Sequence, residues 1–176
     1  MIRAGPRGTV GRRQLLRLAF LGAVSLAGAE IAASVVPFLK VQRIVGLGTP
    51  VNVGPKDQVL AAFAATNDAP ILFRQGHFFL LHPPGGIVAA YRKCTHLGCA
   101  VPFSAVEDRF HCPCHGSIYD KRTAIVIRDP APKPLQLFHM SETDAGLIVD
   151  TNPLRVIDRR DDRWDPSVIE IADSPA

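Results

Sequence analysis

The sequence predicts a small antiparallel all-β domain preceded by one apolar N-terminal helix. Three observations predict it. Beyond Asn67 the apolar residues fall into short runs bounded by turn residues, the pattern of brief strands. Ahead of them an almost uncharged stretch, Leu15 to Phe38, is about long enough to cross a bilayer as a helix. The 176 residues hold one domain of ordinary size and such an appendage.

The N-terminal element carries Arg3, Arg7, Arg12, Arg13 and Arg17 with no acid among them. The positive-inside rule therefore keeps residues 1–14 in the cytoplasm, makes 15–39 a single-pass anchor and puts the remainder on the outer face. Arg12-Arg13-Gln14-Leu15-Leu16 also reads as a twin-arginine export signal, and Ala27-Gly28-Ala29 offers the small residues of a cleavage site. Glu30 is the one acid in the apolar stretch; a carboxylate there is expected to face a partner subunit, since hydrocarbon penalises it. Residues 1–43 hold seven Lys or Arg against that single acid, leaving 13 basic against 15 acidic groups elsewhere. The basic excess thus belongs to the membrane flank, and no nucleic-acid partner is expected.

Residues 40–56 contain Gly46, Gly48, Gly54, Pro50 and Pro55 without a sustained helical period, which predicts a flexible linker with a short strand in it. Asp57 to Thr66 suggests a helical turn. The expected strands are Ile71–Phe73, Phe78–Leu81, Ile87–Tyr91, Ala124–Ile127, Leu135–Leu137 and Leu147–Val149, several of them separated by Gln75-Gly76 and Pro83-Pro84-Gly85-Gly86. The folded domain is accordingly placed at 57–150. The tail, 151–176, mixes Arg155, Asp158, Arg159, Arg160, Asp161, Asp162, Arg163 and Asp165 and reads as solvated surface.

All four cysteines lie in two segments, Cys94-Thr95-His96-Leu97-Gly98-Cys99 and Cys112-Pro113-Cys114-His115-Gly116-Ser117. Each offers one cysteine and one histidine at ligand spacing, Cys94-x-His96 and Cys112-x2-His115, plus one further cysteine. Two Cys and two His split evenly between two loops suit a binuclear iron-sulfur cluster with thiolates on one iron and imidazoles on the other. A structural zinc site would more often repeat C-x2-4-C and H-x3-5-H. Two plain disulfides would suit an exported domain but leave His96 and His115 without a purpose. His77, His82, His111 and His139 have no ligand partner at a recognised spacing.

These segments resemble those of the Rieske iron-sulfur proteins. The additional cysteine pair resembles the disulfide-containing branch found in quinol-oxidising cytochrome bc and bf complexes. The short span Leu97–His111 between the motifs is more similar to the bf-type and bacterial menaquinol-oxidising proteins than to the mitochondrial kind. The likeness runs over about Ala69 to Asp150, with the anchor matching by arrangement.

The resemblance implies a Rieske-type domain with a cluster-binding subdomain and one 2Fe-2S cluster. Cys94 and Cys112 would bind the buried iron and His96 and His115 the outer one. Cys99 and Cys114 would form a disulfide across the loops. Neutral imidazoles leave such clusters easy to reduce, with potentials of roughly −150 to +300 mV. Ser117 would donate to a bridging sulfide and Tyr119 to the sulfur of Cys112, raising the potential further. Asp129–Leu135 is similar to the family's third loop, whose Pro130, Pro132 and Pro134 shield the cluster together with Leu97 and Pro113. Lys133 departs from the usual small or apolar filling and is expected to be exposed or to alter docking. The linker would be a hinge for the cluster head.

Functionally, the resemblance implies an electron-transfer subunit, without a complete active site of its own, in a quinol:cytochrome c or quinol:plastocyanin oxidoreductase. His115, or else His96, would meet the quinol and accept its proton. The implied partners are a cytochrome b-type subunit, a c-type cytochrome or plastocyanin-like acceptor, quinol and membrane lipid, in a bacterial-type cytoplasmic or thylakoid membrane. The Rieske subunit of an arsenite oxidase is the alternative, with a soluble oxygenase ferredoxin and a zinc-stabilised module behind it.

Overall fold

The computed structural model describes residues 11–39 and 47–173, so Arg3, Arg7 and the first part of the expected hinge, residues 40–46, lie outside the described residues. The chain divides into two compact units, Met1–Arg43 and Ile44–Ala176.

In the first unit, helix α1 runs Arg12–Leu39. Arg12 and Arg13 form its first turn, three residues ahead of the predicted start. Leu15, Phe20, Leu21, Leu26 and Ile31 are all exposed, so the helix shows apolar side chains around its circumference rather than along one stripe. Among the described residues it is the one helix long and apolar enough to cross a membrane, over Arg12–Val36. At 1.5 Å per residue that span measures about 37 Å, more than the roughly 30 Å of hydrocarbon in a bilayer.

The second unit begins with strand β1, Pro50–Gly54, and helix α2, Lys56–Ala65. Strands β2 (Ile71–Phe73), β3 (Phe78–Leu81) and β4 (Gly86–Tyr91) follow. Then come β5 (Phe103–Ser104), β6 (Arg109–His111), β7 (Ile118–Tyr119) and β8 (Val126–Arg128). The chain closes with β9 (Leu137–Thr143), β10 (Gly146–Asp150), β11 (Val156–Ile157) and β12 (Ile171–Ala172). All of the pairings are antiparallel, and they make two sheets. The larger is ordered β1-β10-β9-β4-β3-β2, with β11 on β9 and β12 on β4; the smaller is ordered β5-β6-β7-β8.

The period of two along a strand explains how one sheet supports two cores. Phe78 and Leu80 of β3, with Ile87 and Ala89 of β4, join Phe138, Leu147 and the helix residues Val59 and Phe63 in one cluster. Phe79, Leu81, Val88 and Ala90, alternating with them, join Phe110, Tyr119, Leu135 and the two cysteines Cys94 and Cys112 in the other. Both faces of β3 and β4 are therefore covered, which is why these strands read as unbroken apolar runs. Gly86 makes room at one edge, because a Cβ there would stand 2.0 Å from the carbonyl oxygen of Ile171 on β12.

Two boundary expectations are corrected. The linker does not extend to residue 56: β1 pairs with β10, and Gly48 N donates to the Thr151 carbonyl at 2.9 Å. Nor is 151–176 a solvated tail, because Thr151, Arg159 and Ile171 are buried and β11 and β12 extend the large sheet. Mixed charges had masked the apolar residues Ile157, Trp164, Val168 and Ile169, which pack against the same core as Cys94 and Cys112.

Candidate metal centre

Three loops converge above the small sheet. The first, residues 92–102, joins β4 to β5; the second, 112–117, joins β6 to β7; the third, 129–136, joins β8 to β9. The first two have the same internal wiring. The carbonyl of Cys94 accepts from Gly98 N at 2.9 Å, and that of Cys112 accepts from Gly116 N at 3.0 Å. In return Cys94 N donates to the Cys99 carbonyl and Cys112 N to the Ser117 carbonyl, both at 2.8 Å. Closing each loop this tightly requires a left-handed residue, and Gly98 (φ 83°) and Gly116 (φ 79°) supply it. Each motif is thus a compact turn that buries its first cysteine and throws its histidine outward.

A disulfide between Cys99 and Cys114, with Cα atoms 6.7 Å apart, ties the two turns together. Cys94 and Cys112 remain free thiols, both buried. The His96 and His115 rings meet edge to face with centroids 4.8 Å apart; His115 is exposed and His96 half-buried. Among the described residues the group of donors within 4.8 Å of one another is Cys99, Cys112 and Cys114. Two of those sulfurs are consumed by the disulfide, so this group does not make a single-ion shell.

Hydroxyl groups surround the Cys94 thiol. Tyr119 is fully buried; its Oη accepts from Thr95 N at 3.3 Å and lies 3.1 Å from Cys94 Sγ, to which it can donate. This corrects the expectation that Tyr119 serves Cys112. Tyr119 stands opposite Phe110 in the β6–β7 register, and its ring crosses to the first loop instead of folding back along its own hairpin. Ser117 is also fully buried, accepts from Ala131 N at 3.1 Å and hydrogen-bonds Cys94. Burial pushes the Cys94 thiol up most strongly of any single effect, but the hydroxyls of Tyr119 and Ser117, the His96 backbone and Cys112 together hold it below its ordinary value. Cys112 is pushed up, chiefly by burial, as is the Tyr119 phenol.

The third loop lies against the other two. Thr95 Oγ1 donates to the Lys133 carbonyl and Leu135 N to the Ala124 carbonyl. Ala131 and Pro134 are buried, whereas Pro130, Pro132 and Pro113 are exposed, and Leu97 is 70% exposed at the tip. Lys133 is neither free nor fully exposed: its Nζ pairs with Asp158 at 2.7 Å. A cleft of about 360 Å³ lined by Lys93, Thr95, His96, Leu97, Lys133 and Gln136 opens beside Cys94. Of the other histidines, His82 pairs with Asp68 and Asp173, His111 with Glu107 and His139 with Glu170, and His77 is exposed. Sequence reasoning did not find Thr95 or Arg159. The one looks like filler within a motif, and the other is one charge among many.

Sulfur donors within and nitrogen donors without, on paired loops over a small antiparallel sheet, are the arrangement of proteins that carry a two-iron cluster. The chain belongs to the Rieske family: the model of the Rieske 2Fe-2S domain matches residues 49–139. It is similar to cytochrome b6-f complex iron-sulfur subunit 1 of the Cyanophora paradoxa cyanelle, 35% identical over 160 residues, covering 79% of this chain and 63% of that one. It is 36% identical over 149 residues to the chloroplast cytochrome b6-f complex iron-sulfur subunit 2 of Nicotiana tabacum, covering 78% and 64%. The chain thus spans less than two-thirds of the length of these relatives. Among solved structures, the cyanobacterial plasma membrane Rieske protein of Synechocystis is 28% identical, covering 56% of this chain and 97% of that one, with a TM-score of 0.41.

One 2Fe-2S cluster is the cofactor of this domain. The residues present fit it: two free thiols are buried, Cys94 beside hydroxyl donors, while the neighbouring pair of cysteines forms a disulfide and two imidazoles face outward.

Proposed function

We propose that this chain is the Rieske electron-transfer subunit of a quinol-oxidising cytochrome b6-f or bc-type complex, held in the membrane by α1. The observation that carries the reading is the pair of outward imidazoles, His96 and His115, beside an exposed apolar Leu97 and above buried thiols. Its relatives named as cytochrome b6-f subunits support this over an arsenite oxidase subunit.

Cys94 and Cys112 would hold the inner iron, His96 and His115 the outer. When bound, the cluster supplies a one-electron acceptor in the Rieske range of roughly −150 to +300 mV. The protein's own contribution begins at His115. As the more exposed imidazole, it accepts the quinol hydroxyl's hydrogen bond and then its proton on the ring nitrogen that does not bind iron. His96 is the second acceptor. Leu97, Pro113 and the third loop keep water from the thiolates and give quinol an apolar surface to meet. Tyr119 and Ser117 direct O–H groups at Cys94 and so favour the more negative, reduced state.

The partners would be a cytochrome b-type subunit and a c-type cytochrome or plastocyanin-like acceptor. The arginines before α1 support a cytoplasmic N-terminus, with the cluster domain on the periplasmic or lumenal side of a bacterial-type or thylakoid membrane. Arg12-Arg13 would serve twin-arginine export of a domain folded beforehand.

Purification from solubilised membranes tests the proposal. Cytochrome b is expected to copurify, with a rhombic EPR signal in the reduced complex that quinol can generate. Copurification with a molybdopterin protein and without cytochrome b would sink it.

A further inference from the structure

The tail holds a buried cation that the proposed chemistry does not use. Arg159 is only 7% exposed. Its Nε and Nη2 donate to the Leu135 carbonyl, and its Nη1 donates to the Thr123 carbonyl at 2.7 Å. Leu135 ends the third loop and Thr123 lies in the β7–β8 turn; Leu135 and Ala124, the residue after Thr123, belong to the core that contains Cys94, Cys112 and Tyr119. All the hydrogen bonds described for this guanidinium end on neutral carbonyls. A buried charge without an anion is costly, and burial alone lowers the Arg159 pKa to about 10. The preceding residue grips the same loop from outside: Asp158 accepts from Lys133 Nζ at 2.7 Å and from Gln136 Nε2 at 3.0 Å.

We propose that Arg159, flanked by Asp158, is a positioning residue for the cluster: it pins the proline-rich loop to the β7–β8 turn and sets a fixed positive charge at the border of the core that contains Cys94 and Cys112, on the carbonyl of its member Leu135, favouring the reduced state. The charge balance gives the direction. With two thiolates and two neutral imidazoles the oxidised cluster is uncharged, and one added electron leaves it with a single negative charge. A nearby cation in a low-dielectric core stabilises the second state over the first. The guanidinium fork suits this role because it bridges two carbonyls and does not lose its proton at working pH. The inference rests on the ligand assignment proposed above.

The test uses the full-length holoprotein in detergent, titrated with dye mediators, and amide hydrogen exchange over residues 129–136. Arg159→Met is expected to lower the reduced-to-oxidised ratio at a fixed potential about tenfold, equivalent to about 59 mV for one electron, and to speed exchange in the loop. Arg159→Lys, which keeps a cation but not the fork, is expected to speed exchange while holding the ratio within about threefold of the wild type. A cluster-loaded Arg159→Met protein whose midpoint and loop exchange both match the wild type overturns the proposal. Should that variant fail to load, unchanged loop exchange in Arg159→Lys overturns it instead. Neither quinol nor cytochrome enters the titration, so this failure is separate from a failure of the quinol-oxidising reading.

Discussion

At Tyr119 a single oxygen joins strand β7 to the first loop, accepting from Thr95 N and facing Cys94 Sγ. Tyr119→Phe removes the donor and leaves the ring, so the midpoint potential should fall while the fold is kept; an unchanged midpoint in a redox titration would remove the role. Asp158 supplies a second prediction. The hydrogen bond from Lys133, then that from Gln136, holds its carboxyl below the usual range. The folded value lies below the unfolded one, so the stabilisation is complete above roughly pH 4 and is lost as pH falls through the folded value. Asp158→Asn should therefore flatten the acid limb of a stability-against-pH curve; superimposable limbs would contradict it. The ligand motifs were legible because cysteine and histidine at close spacing admit few uses. The sulfur that Tyr119 serves was not, because a six-membered ring can cross to whichever loop lies in front of it. Lys133 was read without its partner, which lies 25 residues further along the chain.

Among the elements, the two motif loops depend most on each other. Each is a short turn closed by a glycine, with little apolar content of its own, and the Cys99–Cys114 bridge closes 15 residues of separation. Loop-closure entropy puts such a cross-link at about 3 kcal/mol. A Cys99→Ser, Cys114→Ser double variant should lose roughly this much in urea unfolding of the cluster-bound protein; a loss below about 0.5 kcal/mol would assign the loop geometry to the hydrogen bonds alone. The longer strands β3 and β4 were visible as apolar runs. Strands β5, β6 and β7 were not, since two or three residues cannot establish a period. Helix α2, expected as helical over Asp57 to Thr66, runs Lys56–Ala65, held by Val59 and Phe63 one turn apart on its buried face.

For the whole molecule, the order of elements in space departs most from their order in sequence. β1 at the start of the domain pairs with β10 near its end, and β12 returns to the edge of β4. The closing segment also provides Arg159, and Asp173 beside His82. Removal of residues 151–176 should therefore abolish cooperative unfolding and cluster retention rather than trim a surface; a truncated protein with a wild-type melting profile would contradict this. The apolar N-terminal helix and the all-β class were legible from composition and spacing. The extent of the domain was not, because acidic and basic residues outnumber the few apolar ones that fix the tail in place.

The four cysteines end in two oxidation states although Cys112 and Cys114 are separated by one proline. The free sulfur of Cys112 and both sulfurs of the bridge lie within 4.8 Å of one another. A thiolate formed at Cys112 would therefore stand close to a disulfide with which it could exchange. With Cys112 as a proposed iron ligand, bound iron would occupy this sulfur, and loss of the iron would release it next to the bridge. Cluster loss and scrambling of the cross-link would then be coupled, and the metal would protect the covalent pattern of the chain as well as its redox chemistry.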